Sequence, residues 1–313
     1  MVKERTFLQK WIYAARPHTL GASVAPMLIL LGSLVLSGGI RGWAVPYCLA
    51  FLVALFAQIS SNLANDYFDY LGEKDTDSRV GFERLLSSGS VTPREMLTAL
   101  IVSASVTALC GVAFAYLEGW WILLVGLAVL LAMVGYSAGP FPLSHHGLGD
   151  LAVVLFYGLI PILVPYYVLG GAPTISLFLF ALGIGIWEAN ILVCNNYRDY
   201  AEDLRSGKRT LVVRLGEKSG PWLYALNSLL SFLCFGAGFV LLKPPTWTYG
   251  WLALLALGMG ALTLQVARKR GSALNQMLKR TNIFALFIGA SVLIFYLFSK
   301  FQSTDILSHA LSK

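Results

Sequence analysis

Apolar runs long enough to cross a lipid bilayer recur along almost the whole chain. A helix needs about 20 apolar residues to cross a hydrocarbon layer of roughly 30 Å. Nine stretches approach that length: 20–38, 43–61, 96–117, 120–138, 150–169, 174–194, 220–242, 248–267 and 282–299. Two of the breaks between them are short, at Glu118-Gly119 and at Lys243-Pro244-Pro245. Only 12% of the 313 residues are charged, against about 25% in a soluble domain, so lipid must solvate most of the surface. The expected fold is all-α and polytopic: nine transmembrane helices in one integral-membrane domain spanning 1–313. The N-terminal apolar run is too long for a signal-peptide core and is read as the first span.

The charges orient the spans. All but four of the 23 Lys and Arg fall on one side: the N-terminus and the loops after the second, sixth and eighth spans. The exceptions are Arg41, Lys243, Lys300 and Lys313. An excess of basic residues marks the cytoplasmic side, so the chain is expected in the cell membrane (plasma or inner), with a cytoplasmic N-terminus. The net charge of +7 follows from that topology. No basic stripe interleaved with aromatics indicates nucleic acid, and no protein partner is predicted. Cys48, Cys110, Cys194 and Cys234 lie singly in apolar spans, as packing residues do.

The acidic residues carry a second pattern. All but Glu118 and Asp305 of the 16 lie on or near the cytoplasmic side. They cluster in Asn62-Leu63-Ala64-Asn65-Asp66-Tyr67-Phe68-Asp69-Tyr70, continuing through Glu73, Asp75 and Asp77, and in Asn195-Asn196-Tyr197-Arg198-Asp199-Tyr200-Ala201-Glu202-Asp203. N-D-Y-F-D-Y at 65–70 and N-N-Y-R-D-Y at 195–200 agree at four of six positions, and each closes an apolar span. Four spans separate them, so both return to the same face. This predicts two four-helix halves, about 15–140 and 147–267, with helix 282–299 added.

Asn62, Asp66 and Asp69 are spaced i, i+4, i+7, and Asn195, Asp199 and Asp203 i, i+4, i+8. Each set shares one helical face. Facing lipid, a central Asp costs about 2.5–3.5 kcal/mol on insertion scales, so the two faces should line a common cavity. Carboxylates and amide oxygens without nearby His or Cys suit a hard cation, Mg²⁺. Arg79, Arg84, Arg198, Lys208 and Arg209 could hold a polyanion beside it. Together these describe a diphosphate site at the membrane edge. Lys208 and Arg209 also read as plain topology signals, and Glu73, Asp75, Asp77 and Glu202 as solvated loop charges. Glu188 and Asn190 lie one to two turns deeper in the sixth span, and His145 and His146 in the fourth–fifth connection. Glu188 or a histidine could act as a base, or each could have only a local partner.

These motifs resemble the UbiA superfamily of intramembrane prenyltransferases. The resemblance runs through A-R-P-H-T-L at 15–20, N-L-A-N-D-Y-F-D-Y at 62–70, D-T-D-S-R-V-G at 75–81, Y-S-A-G-P-F-P-L at 136–143, G-L-G-D-L at 147–151, and 195–211. N-N-Y-R-D and G-L-G-D point to the subgroup that prenylates 1,4-dihydroxy-2-naphthoate. His18, where that subgroup is expected to have Lys, is a departure, as are Leu143 and the His145-His146 pair. The resemblance implies a UbiA-like fold and an allylic polyprenyl diphosphate donor. It implies catalytic Asp66, Asp69, Asp199 and Asp203, and Mg²⁺ held by Asn65, Asp66, Asp69, Asp75, Asn195, Asp199 and Asp203. Arg79, Lys208 and Arg209 would contact diphosphate oxygens, with Asn62, Arg84, Asn196 and Arg198 completing the substrate site. Tyr67, Phe68, Tyr136 and Tyr197 are near enough to present aromatic faces to an allylic cation, or to serve only in packing. Rival readings are another acceptor on the same fold (4-hydroxybenzoate, homogentisate, a porphyrin, a glycerol phosphate) and an ion-coupled transporter.

Overall fold

The computed structural model describes residues 6–37, 42–72, 81, 84–136, 142–242 and 244–311. Among them every regular element is helical. In chain order the helices are α1 (Phe7–Ala14), α2 (Gly21–Ser37), α3 (Ala44–Leu71), α4 (Pro93–Glu118), α5 (Ile122–Gly135), α6 (Gly149–Val154), α7 (Ile160–Val168), α8 (Ile175–Arg198), α9 (Tyr200–Arg205), α10 (Leu211–Leu215), α11 (Ser219–Leu241), α12 (Trp247–Arg268) and α13 (Leu274–Leu311). A π turn over Leu155–Leu159 joins α6 to α7, so Gly149–Val168 acts as one span.

Local chemistry sets several starts. Thr6 with Gln9 and Thr92 with Glu95 form reciprocal capping boxes, which satisfy backbone N–H groups at α1 and α4. Thr174 and Thr210 accept from the third residue of α8 and α10. Between α1 and α2 the path bends by 60°. Arg16 takes a left-handed conformation there, φ 53°, immediately before Pro17, which disfavours the right-handed helical region in its predecessor.

Among the described residues, seven helices are long and apolar enough to cross a membrane, and eight if the bent α1–α2 pair is one span. The expected nine full spans are not reached on this measure. The fourth expected span, 120–138, becomes α5 of 14 residues, which rises only about 21 Å. Gly119 at φ 133° starts the turn that delays it. Exposed Leu109, Tyr116, Leu124, Ile175, Trp222 and Leu257 give the outer surface an apolar character that suits lipid.

α8 is the central helix: 72% of its apolar stretch is buried, against 22% for α3, α4 and α12. It packs on α11 and α13, while α13 also packs along α2. The last helix therefore packs between the first helices of the chain and its central helix rather than standing beside them. Close packing is built in where Gly289 meets α2, since a Cβ there would lie 2.6 Å from the Ala25 carbonyl oxygen.

Candidate functional site

Helix α3 continues past the apolar run to Leu71, so Asn62, Asp66 and Asp69 share a face, and all three are buried. The second motif is interrupted: α8 ends at Arg198 and Asp199 sits at the junction with α9. Helical register survives the junction, because Asp199 N–H donates to Asn195 O at 3.0 Å and Asp203 N–H to Asp199 O at 2.8 Å. Both ends reach one polar cavity of about 130 Å³ lined by Asn65, Asp69, Arg84, Tyr136, Asn195, Asn196, Arg198, Asp199, Asp203 and Lys208.

That cavity abuts a larger apolar chamber of about 410 Å³. Arg16, Thr19, Asn65, Tyr136, Leu192 and Asn195 line both, and so mark the junction. Ala, Val, Leu, Ile, Phe and Pro side chains from α2 to α8 make up most of the chamber wall, with Gln58, Ser61, Asn62, Tyr157 and Glu188 among them.

In the polar cavity the carboxylates face cations. Asp66 is ion-paired to Arg16 and lies 3.4 Å from Arg84 Nε. Arg84 also donates to Asp69 Oδ2 at 2.7 Å, and Lys208 Nζ stands 3.6 Å from the same oxygen. Lys208 thereby ties the second motif's loop to the first motif's helix. Arg198 grips Asp199 with two parallel bonds, Nε to Oδ1 at 2.7 Å and an Nη to Oδ2 at 2.6 Å, while its other Nη donates to Asn275 at 2.7 Å. Burial, reinforced by the negative charges of Asp199, Glu202 and Asp69 and opposed by Lys208, pushes Asp203 up to about 7. Burial also raises the Tyr136 phenol above its ordinary range.

The predicted residues divide by place. Asp66 lies behind the polar cavity and does not line it, and Asn62 lines the chamber while donating to Ala15 O at 3.0 Å and Thr19 Oγ1 at 3.1 Å. The Arg209 side chain is exposed, and its backbone N–H donates to His145 O at 3.0 Å. Asp75 and Arg79, with Glu73 and Asp77, lie outside the described residues. His145 and His146 line neither cavity, and Asn190 reaches across to Ser228 at 3.2 Å. Tyr197 sits under Arg270, 5.1 Å from its ring centre, and Tyr67 and Phe68 pack with each other. Of the four aromatics singled out, Tyr136 alone lines the cavities. Sequence reasoning counted Arg16 as a topology charge and within the A-R-P-H-T-L run, without a role in the site. Its position directly before a proline, at the head of the first apolar run, was the available signal.

The cavity wall supplies amide and carboxylate oxygens that suit a hard cation, but the expectation of no nearby His does not hold, because the bend before α2 brings His18 into the same wall. Among the described residues no three His, Cys, Asp or Glu groups converge closely enough to hold an ion, because Asp66, Asp69 and Asp199 face Arg and Lys instead. Asp203 is raised chiefly by burial, and a divalent ion at its carboxylate would offset that cost.

The sequence pattern of the UbiA prenyltransferase family matches residues 25–288. The chain is similar to the 1,4-dihydroxy-2-naphthoate octaprenyltransferase of Mycobacterium tuberculosis, 36% identical over 234 residues, 72% of this chain and 77% of that protein. It is 31% identical over 265 residues to the enzyme of the same name from Haemophilus influenzae, 82% of this chain and 84% of that one. In structure it is similar to a UbiA homolog from Archaeoglobus fulgidus bound to DMAPP and Mg²⁺, with TM-score 0.61 and 17% identity over 91% of this chain and 99% of that one.

Proposed function

The chain belongs to the UbiA prenyltransferase family, and on that premise we propose that it transfers a polyprenyl group from an allylic polyprenyl diphosphate to 1,4-dihydroxy-2-naphthoate. The products are a demethylmenaquinol, CO₂ and diphosphate. The observation that carries this reading is the junction itself: a charged cavity opening into an apolar chamber, with Asn65, Tyr136 and Asn195 at the boundary. A diphosphate fits the first and an isoprenoid the second, and a polyprenyl tail longer than the chamber continues into lipid. The naphthoate relatives support the acceptor.

Asp66, Asp69 and Asp199 already face cations, so substrate can exchange partners. Arg84, Arg198 and Lys208 turn from Asp69 and Asp199 to the diphosphate oxygens, with Arg79 and Arg209 joining them, Asn196 completing the polar wall and Asn62 meeting the donor from the chamber side. Asn65, Asp69, Asn195, Asp199 and Asp203 on the cavity wall, with Asp66 behind it and Asp75, would hold Mg²⁺. Bound Mg²⁺ supplies positive charge that stabilises the departing diphosphate. The basic side chains do the same as the allylic C–O bond breaks. The water-poor chamber protects the allylic cation, and Tyr136 presents its ring at the junction. The ring carbon bearing the carboxylate attacks, and loss of CO₂ returns its electron pair to the ring.

We place the active-site face and the N-terminus in the cytoplasm, with α2, α3, α4, α5, α6–α7, α8, α11, α12 and α13 as nine crossings of the cell membrane. The support is the loop charge asymmetry. The chain is then one domain whose halves each contribute one motif. The test is an assay of protein in lipid with 1,4-dihydroxy-2-naphthoate, a polyprenyl diphosphate and Mg²⁺, with product identified by mass. A prenylated, decarboxylated quinol that disappears with EDTA is expected. Diphosphate release only with a different aromatic would move the acceptor, and no reaction with any would return the site to ion transport.

A further inference from the structure

One polar group in the chamber has no part in holding the diphosphate. Glu188 lies in α8 seven residues before Asn195, so the two share a face about 10 Å apart along the axis. Both line the chamber. Glu188 is 1% exposed, and neither carboxyl oxygen has a hydrogen-bond partner among the described residues. Its polar neighbours are engaged. Gln58 Oε1 accepts from Tyr157, and Gln58 Nε2 donates to Thr19 at 3.4 Å and to Asn62 at 3.5 Å. Asn62 in turn holds Ala15 and Thr19.

The helix crossing fixes this placement. A Cβ on Gly158, in the π turn, would lie 2.5 Å from Ala181 O and 2.6 Å from Gly185 Cα. The π turn therefore presses directly on α8, and Tyr157 and Glu188, one either side of that contact, reach the same chamber. A carboxyl left unpaired in an apolar surrounding is costly. An ionisable residue within a span that faces a cavity is a functional site by default.

We infer that Glu188 hydrogen-bonds the 4-hydroxyl of the naphthoate acceptor and so sets which ring carbon meets the donor. This rests on the acceptor proposed above. With the diphosphate in the polar cavity, the reacting carbon of the donor sits near Asn65 and Asn195. The acceptor carbon that loses CO₂ must face that point. The 4-hydroxyl, on the carbon meta to it in the same ring, then points away from that junction, down the chamber toward Glu188. A phenolic hydroxyl buried there without a partner would be costly too, and each group satisfies the other. Glu188 is thus a positioning and specificity residue.

The test is equilibrium binding in lipid nanodiscs with Mg²⁺ and an unreactive thio-diphosphate analogue of the donor. Two acceptors are compared, 1,4-dihydroxy-2-naphthoate and 1-hydroxy-2-naphthoate, which lacks the 4-hydroxyl. The wild-type protein should favour the dihydroxy compound by about tenfold or more. Glu188→Gln, which still accepts a hydrogen bond, should keep part of that ratio, and Glu188→Leu should bind the two alike. Glu188→Ala reads the same ratio should the Leu variant fail to fold. A general loss of stability would leave the ratio untouched, so a wild-type ratio in Glu188→Leu or Glu188→Ala overturns the inference. Wild-type turnover of 1,4-dihydroxy-2-naphthoate is the control. Its absence removes the acceptor reading and this inference with it, whereas turnover with an unchanged ratio removes the inference alone.

Discussion

Helices α3 and α8 end in closely similar residues but are held in different ways. α3 is a lipid-side helix, 22% buried over its apolar stretch, and its acids are gripped from elsewhere: Arg16 before α2, Arg84 after α3, and Lys208 from the other motif's loop. α8 is 72% buried, and its Asp199 is gripped by its own neighbour Arg198. The first motif is thus organised by tertiary contacts and the second largely by its own helix. Of two similar motifs, one is positioned and the other positions. Lys208 is the described link through which the second reaches the carboxylate of the first.

The sharpest way to break this comparison is to remove one acid from each side. Asp69→Ala and Asp199→Ala should each lower kcat/KM by about a thousandfold or more, with the protein still inserted and folded by detergent-solubilised melting. Near-normal turnover in either would take that residue out of the diphosphate and metal site. Lys208→Ala cuts the link while leaving both motifs intact. It should raise the donor KM by about ten- to a hundredfold and leave the acceptor KM near its original value. Equal changes in both would mean that Lys208 organises the whole chamber rather than the donor end.

A pH series separates the halves further. Asp203 stands at about 7, so below that pH it carries a proton and offers no charge to a cation. Apparent Mg²⁺ affinity should therefore rise by about tenfold between pH 6 and pH 8, and Asp203→Asn should flatten the rise. A profile that stays steep in this variant would assign the proton to another group. The smallest effect is expected at Arg209, whose side chain is exposed. Arg209→Ala should change donor KM by only about two- to threefold, because water screens an exposed charge, and an effect as large as that of Lys208→Ala would make it an equal partner of Lys208 in holding the diphosphate.

Much of this was legible in the residues. Apolar runs at membrane length announce helices, because a backbone in hydrocarbon must bond to itself. The repeated Asn and Asp at helical spacing located the motifs, because residues i, i+4 and i+7 share a face in any helix. Periodicity along one helix says nothing about what stands opposite. It did not reveal that Arg16, bent out of line before Pro17, reaches Asp66, or that the last helix packs along α2. Nor did it separate Asn190, which binds Ser228, from Glu188, whose oxygens face the chamber. The sequence by itself determined the helices, their faces and the chemistry of the motifs, all set by neighbours within a turn or two. Only the tertiary structure decided which faces meet, because partners brought together from distant parts of the chain are chosen by packing.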